Sequence, residues 1–229
     1  MNAQPSETQA VLASVSARSL APLLDALLAH ASTDNTRPHI SGALLKVEEG
    51  RIVGVATDGH RLILARIPTV GTVNGTADML VSRESLESMR STVKAAVKAA
   101  GRKADPQADI AFKAQSMGLA CGALSVSCAR VDERFPPYTQ VIPDYARTGL
   151  TPEQMPPNEY GREVKRGFAC GSVGISPSYL ADALSYAGVI VGDGGAKLHV
   201  GPAELDPVCV FAEHVDRGDV IVVIMPMRI

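Results

Sequence analysis

The chain has 229 residues, enough for one large domain or two small ones with a real core. Its formal net charge of −2 argues against a protein coated in basic patches, though a basic stripe can sit on one surface of an acidic molecule. The polar start, Met1 to Glu7, lacks the basic and apolar regions of a leader, and no apolar run reaches membrane-spanning length, so the expectation is a soluble, cytoplasmic protein.

After a short polar tail, Leu20, Leu23, Leu24, Leu27 and Leu28 recur at helical spacing, with Ser19 as a cap and Pro22 in the first turn. Strands follow at Ile40 to Val47, Arg51 to Thr57 and Arg61 to Ile67. Between the last two lies Thr57-Asp58-Gly59-His60-Arg61-Leu62, where Asp58-Gly59 suits a tight hairpin turn. Read locally, this is a surface turn between two strands.

A second helix runs from about Ser82 to Ala100 and closes at Gly101. Leu86, Met89, Val93, Val97 and Ala100 form its apolar stripe, and Arg83, Arg90, Lys94 and Lys98 form a basic one. Taken alone, the basic stripe is a solvated helix face. Strands resume at Ile110 to Phe112 and in the alternating Leu124, Val126 and Cys128, so a helix-then-strands unit is used twice. Pro152, Pro156 and Pro157 then fall among polar residues without a period, which reads as a linker or irregular segment over 144–170. Ser176-Pro177 opens a third helix, with Tyr179, Leu180, Ala183 and Leu184 as its buried side. Strands at Lys197 to Val200, Val208 to Phe211 and Val220 to Met225 complete one further unit.

Chemistry is hard to find. Gly192-Asp193-Gly194-Gly195 lacks the Gly-Lys-Ser/Thr ending of a phosphate loop, and Cys170 stands where a nucleophile elbow needs Gly. Cys121, Cys128, Cys170 and Cys209 have no metal-ligand spacing and read as buried or half-buried reduced thiols. No catalytic residue, metal or cofactor is expected.

Three segments in order point elsewhere: Thr57 to Leu62, Arg134-Phe135-Pro136-Pro137-Tyr138 through Pro143, and Val222-Val223-Ile224-Met225-Pro226-Met227-Arg228-Ile229. Together they resemble the bacterial sliding clamp family, the β subunit of DNA polymerase III. The resemblance implies an α+β DNA-clamp fold, with repeated helix-plus-antiparallel-strands units and the helices on one face of curved sheets. Residues 9–143 resemble the family's middle domain, and 171–229 resemble the C-terminal half of its last domain. No counterpart of the first domain is present in the sequence.

The resemblance also implies a site. A pocket for partner peptides would take Ile40, Thr57, Gly59, His60, Arg61, Leu62 and Pro143 on one wall. Leu205, Pro207, Val223, Met225, Pro226, Met227 and Arg228 would form the other. Methionines suit a groove with several partners, Gly59 allows close backbone approach, and His60 and Arg61 would supply polar rim contacts. Arg83, Arg90, Lys94 and Lys98 would face double-stranded DNA and neutralise phosphates without reading sequence, with Arg18, Arg102 or Lys103 adding to them. The implied function is a non-enzymatic processivity factor that tethers polymerase and repair proteins to DNA as a homo-oligomer. A clamp-derived peptide-binding module that forms no ring is the alternative. Three units per chain in four chains would match the unit count of a full ring, with half-domains of two chains pairing.

Overall fold

Every position of the strand Gly218–Ile224 is buried, because it lies at the centre of a sheet covered on both faces. Val220, Val222 and Ile224 pack with the helices, while Ile221 and Val223 enter a second apolar cluster on the opposite face. The computed structural model describes residues 10–48, 50–142, 173–192, 195–200 and 206–227. The linker at 144–170 with Cys170, Glu49 and the Asp193-Gly194 pair lie outside the described residues.

The elements in order are β1 (Val11–Ser16), α1 (Ala17–His30), β2 (Gly42–Glu48), β3 (Arg51–Thr57), β4 (Arg61–Pro68), β5 (Ala77–Ser82), α2 (Arg83–Ala100), β6 (Gln107–Phe112), β7 (Ser116–Cys121) and β8 (Leu124–Ala129). A 3₁₀ turn at Tyr138–Gln140 follows, then α3 (Pro177–Val191), β9 (Lys197–Val200), β10 (Val208–His214) and β11 (Gly218–Ile224). All pairings are antiparallel. One sheet has the order β1-β6-β7-β8, and the other β5-β2-β3-β4-β11-β10-β9.

The repeat expected from the sequence has a structural signature. Val15-Ser16-Ala17-Arg18-Ser19-Leu20 and Val81-Ser82-Arg83-Glu84-Ser85-Leu86 each end a strand and start a helix. In both, the first serine accepts the N–H of the second, at 3.1 Å for Ser16 and 3.2 Å for Ser82, satisfying one free helix N–H. The first helix is therefore capped by Ser16, three residues before the Ser19 expected from sequence. The two units exchange their leading strands: β1 pairs with β6, and β5 with β2.

The helices α1 and α2 lie antiparallel and close each other's ends with arginines. Arg18 donates to the carbonyls of Gly101 (2.6 Å) and Ala104 (2.7 Å), just past α2. Arg83 donates to those of Leu28 (3.1 Å) and Ala31 (3.3 Å), at the end of α1. Each cation thus meets unpaired carbonyls at the negative end of the neighbouring helix.

The third unit begins the same way, at Ile175-Ser176-Pro177-Ser178-Tyr179-Leu180, but Tyr179 stands where Ser19 and Ser85 stand. Its sheet is continuous with that of the first unit through β4 and β11, from Arg66↔Asp219 to Arg61↔Ile224. Of the expected buried side of α3, Ala183 is fully buried and Tyr179 and Leu180 pack partly buried against the core, joined further along by Ala187, Ile190 and Val191. Leu184 is 46% exposed, because α3 settles onto β10 and β11 through its small residues.

Candidate functional site: the turn, the chain end and the helix pair

The turn between β3 and β4 is built by Asp58. One carboxylate oxygen accepts the N–H groups of His60 (2.9 Å) and Arg61 (3.0 Å), and the other accepts Arg61 Nε (3.1 Å). Thr57 Oγ1 donates to the Arg61 carbonyl (2.7 Å) and accepts the Gly59 N–H (3.1 Å). Gly59 has φ +94°, a region costly for a side chain. The last paired residues are Thr57 and Leu62, so the connection is longer than the two-residue hairpin expected.

The chain end runs against this turn. Val223 faces Leu62 and Ile224 faces Arg61 in the ladder, and the Met225 N–H then donates to the His60 carbonyl at 2.9 Å. Two residues on, the Met227 N–H donates to Gly174 (2.7 Å). Leu62 and Val223 are buried in one cluster with Ile142 and Phe135, on the face opposite the helices. Met225 and Met227 are 41% and 49% exposed beside it. Gly59 and His60 are exposed, Thr57, Pro207 and Pro226 are half-buried, and Ile40 is buried. The turn and the chain end, roughly 160 residues apart, are therefore neighbours. Pro143, Leu205 and Arg228 lie outside the described residues.

Arg61 is not a free rim cation. Its side chain is 10% exposed and ties three elements together. Nε meets Asp58, Nη1 meets Asp182 of α3 at 2.6 Å, and Nη2 donates to the Ala29 carbonyl of α1 at 2.7 Å. The guanidinium also lies over the Tyr179 ring, 4.3 Å from its centroid. Beside it, His30 is fully buried and sits edge-on to Tyr186 at 5.8 Å. Burial lowers its pKa to about 4, so it is neutral, with Nδ1–H donating to the Ala26 carbonyl (2.8 Å). The opposite end of the β4–β11 seam is pinned by Asp219, which accepts from Arg66 (2.8 Å) and Arg51 (3.0 Å).

The basic stripe of α2 is partly spent within the protein. Arg90 and Lys94 both pair with Asp25 of α1, Lys94 at 2.7 Å. Arg83 caps α1 and lies 3.4 Å from Glu87. Among the described residues Lys98 is in no ion pair, and the neighbouring Arg102 and Lys103 are exposed. The sequence reading misses Asp25, Asp182 and Asp219. Only Tyr179 gives a signal, as the departure from the repeated Ser-x-x-Ser-Leu pattern. No group of three metal-binding side chains occurs among the described residues, and no helix there is long and apolar enough to cross a membrane.

The family profile described as the DNA polymerase III beta subunit, central domain, matches residues 14–137, more than half of the chain. The beta sliding clamp of Caulobacter vibrioides strain NA1000 is 29% identical over 133 residues, which is 56% of this chain and 34% of that protein. The match thus spans about a third of the curated relative's length. Among solved structures, a DNA polymerase sliding clamp from Pseudomonas aeruginosa superposes with a TM-score of 0.70 at 18% identity, covering 99% of this chain and 69% of that one. The DNA polymerase III beta subunit of Thermotoga maritima gives a TM-score of 0.67 at 15% identity, covering 100% and 68%. The fold is the α+β sliding-clamp fold, and the chain belongs to the DNA polymerase III beta subunit family.

Proposed function

We propose that the protein acts as a sliding clamp: a non-enzymatic processivity factor that tethers polymerase and repair proteins to duplex DNA through a peptide-binding surface. The observation that carries this reading is the Met225–His60 hydrogen bond at the end of the Leu62↔Val223 pairing. It joins two segments that lie far apart in the chain into one surface with exposed methionines at its border. A peptide would place apolar side chains over Leu62, Val223 and the two methionines, with His60 at the rim; Pro143, Leu205 and Arg228 belong to the same proposal. Arg61 acts here by fixing the wall rather than by touching the peptide with a free charge.

In this reading residues 9–143 serve as the middle domain and 171–229 as the second half of the last domain. The α1–α2 pair faces DNA in the cytoplasm. Lys98, Arg102 and Lys103 offer the least committed charge, and Arg83, Arg90 and Lys94 add a field reduced by Asp25 and Glu87. Sequence-independent phosphate attraction of this kind permits sliding. The test is retention on closed circular DNA after loading. The proposal expects retention on circles and loss on linearisation, and equal loss from both contradicts it.

A further inference from the structure

The described strands leave four sheet edges, and three of them are managed. Along β1, Val70 N–H donates to the Ser14 carbonyl (2.6 Å), and Asn74 bonds Leu12 (2.8 Å) and Ala10 (3.1 Å). Along β5, Val131 N–H donates to Leu80 (2.9 Å) and Arg130 to the Asp78 carbonyl (3.1 Å). β9 is only four residues long and carries Lys197. Short or charged edges and covered edges are the usual protections against strand addition.

Among the described residues, β8 has none of these. It is six residues, Leu-Ser-Val-Ser-Cys-Ala, with no charge, no proline and an unbroken register against β7 alone. Leu124 at its start is 41% exposed, whereas Cys128 near its end is buried. Because Gly122 turns the chain at φ +60° in a two-residue connection, Cys121 and Leu124 form the bonded closing pair. Alternation then directs the N–H and C=O groups of Ser125, Ser127 and Ala129 outward.

The molecule already contains the pairing that such an edge lacks. β4, the last strand of the first unit, is covered by β11, the last strand of the third, in antiparallel register. β8 is the last strand of the second unit. We propose that β8 is an interface strand whose occupant is β8 of a second copy of this chain, paired antiparallel about a two-fold axis at Val126. In that register Leu124 lies opposite the partner's Cys128, and Ser125 opposite the partner's Ser127. Apolar side chains meet on the helix side, hydroxyls meet on the other, and every outward N–H in the overlap gains an acceptor. The neutrality of the strand makes self-pairing free of repulsion, which a charged edge forbids. The inference does not rest on peptide binding or on DNA, and it assigns a contact different from the half-domain pairing expected from the sequence.

A pair of short strands associates weakly, with a Kd on the order of tens of micromolar. Sedimentation of the full chain at about 100 µM should therefore show dimers or larger species. Ser127→Lys, an exposed substitution, should weaken association about tenfold or more, with an unchanged thermal melt. Val126→Cys should give a covalent dimer under mild oxidation, linked 126 to 126 by mass spectrometry, because non-bonded antiparallel pairs sit within disulfide range. Monomers at that concentration, association untouched by Ser127→Lys, or a folded Val126→Cys protein that does not crosslink each overturn the proposal. Capture of a peptide by the Ser127→Lys protein is read separately, so failure of this interface and failure of the proposed function are distinguishable.

Discussion

Arg61 holds its guanidinium over the ring of Tyr179 at 4.3 Å while pairing with Asp182 at 2.6 Å, both on α3. The same group bonds the turn and the end of α1, so one side chain fixes the third unit against the first. Replacing Arg61 with Ala leaves the Asp58 carboxylate part-buried without its cation and removes a cation–π contact. The expected cost is about 3 kcal/mol of stability by urea unfolding. Arg61→Lys should recover only part of it, because an ammonium cannot serve three directions in one plane. A loss below about 1 kcal/mol for Arg61→Ala contradicts this role.

The seam has a second tight point. Gly218 opens β11 at φ +110°, and a Cβ there would lie 1.8 Å from the Arg66 carbonyl oxygen. Gly218→Ala should therefore destabilise by about 3 kcal/mol or more, since backbone must move. Gly122→Asn is the control, because its φ of +60° meets open space and suits Asn. It should cost less than about 1 kcal/mol. Thermal melts of the two variants check the contrast.

His30 makes stability depend on pH. Its folded pKa of about 4 lies below the ordinary 6.5, because burial penalises the charged ring. The unfolded chain binds the proton more readily, so this contribution is complete above 6.5 and is lost as pH falls towards 4. Between about pH 7.5 and 4.5 the loss from this group is about 2.5 kcal/mol. Urea unfolding at the two pH values should show it in the wild type, and the His30→Gln protein should lack that part of the slope. Equal slopes in both contradict the assignment.

The helix pair makes a less obvious prediction. Asp25 neutralises Arg90 and Lys94, so Asp25→Asn should strengthen binding to duplex DNA and steepen its salt dependence. Lys98→Glu should weaken it. Each additional phosphate neutralised by the protein steepens the slope of log K against log salt by about 0.9, and each one given up flattens it by the same amount. Fluorescence anisotropy over a salt series measures it, and a slope unchanged in both variants contradicts a DNA-facing stripe.

What can be read in advance follows from how local each signal is. The apolar runs at β3, β4 and β11 are legible because each strand is buried on both faces and is nearly continuous in Val, Ile and Leu. β7, Ser-Met-Gly-Leu-Ala-Cys, is not, since small residues carry little strand signal. β1 and β5 are hidden because each runs straight into a helix cap, with no turn between. The turn and the chain end are recognisable one by one, and their contact belongs to the ladder. The partners of Arg61 and of the basic stripe are not legible. Asp182 lies 121 residues from Arg61, and Asp25 lies 65 from Arg90, so only packing brings them together.

The most direct measurement of the central claim is an anisotropy titration of a labelled clamp-binding peptide from a replication protein into the wild-type chain and a Met225→Lys, Met227→Glu double variant. Both methionines are exposed, so the variant is expected to fold. The account predicts saturable binding by the wild type and at least about a tenfold loss in the variant, the effect of removing roughly 1.4 kcal/mol of contact. No saturable binding by folded wild-type protein, or equal binding by both, contradicts it.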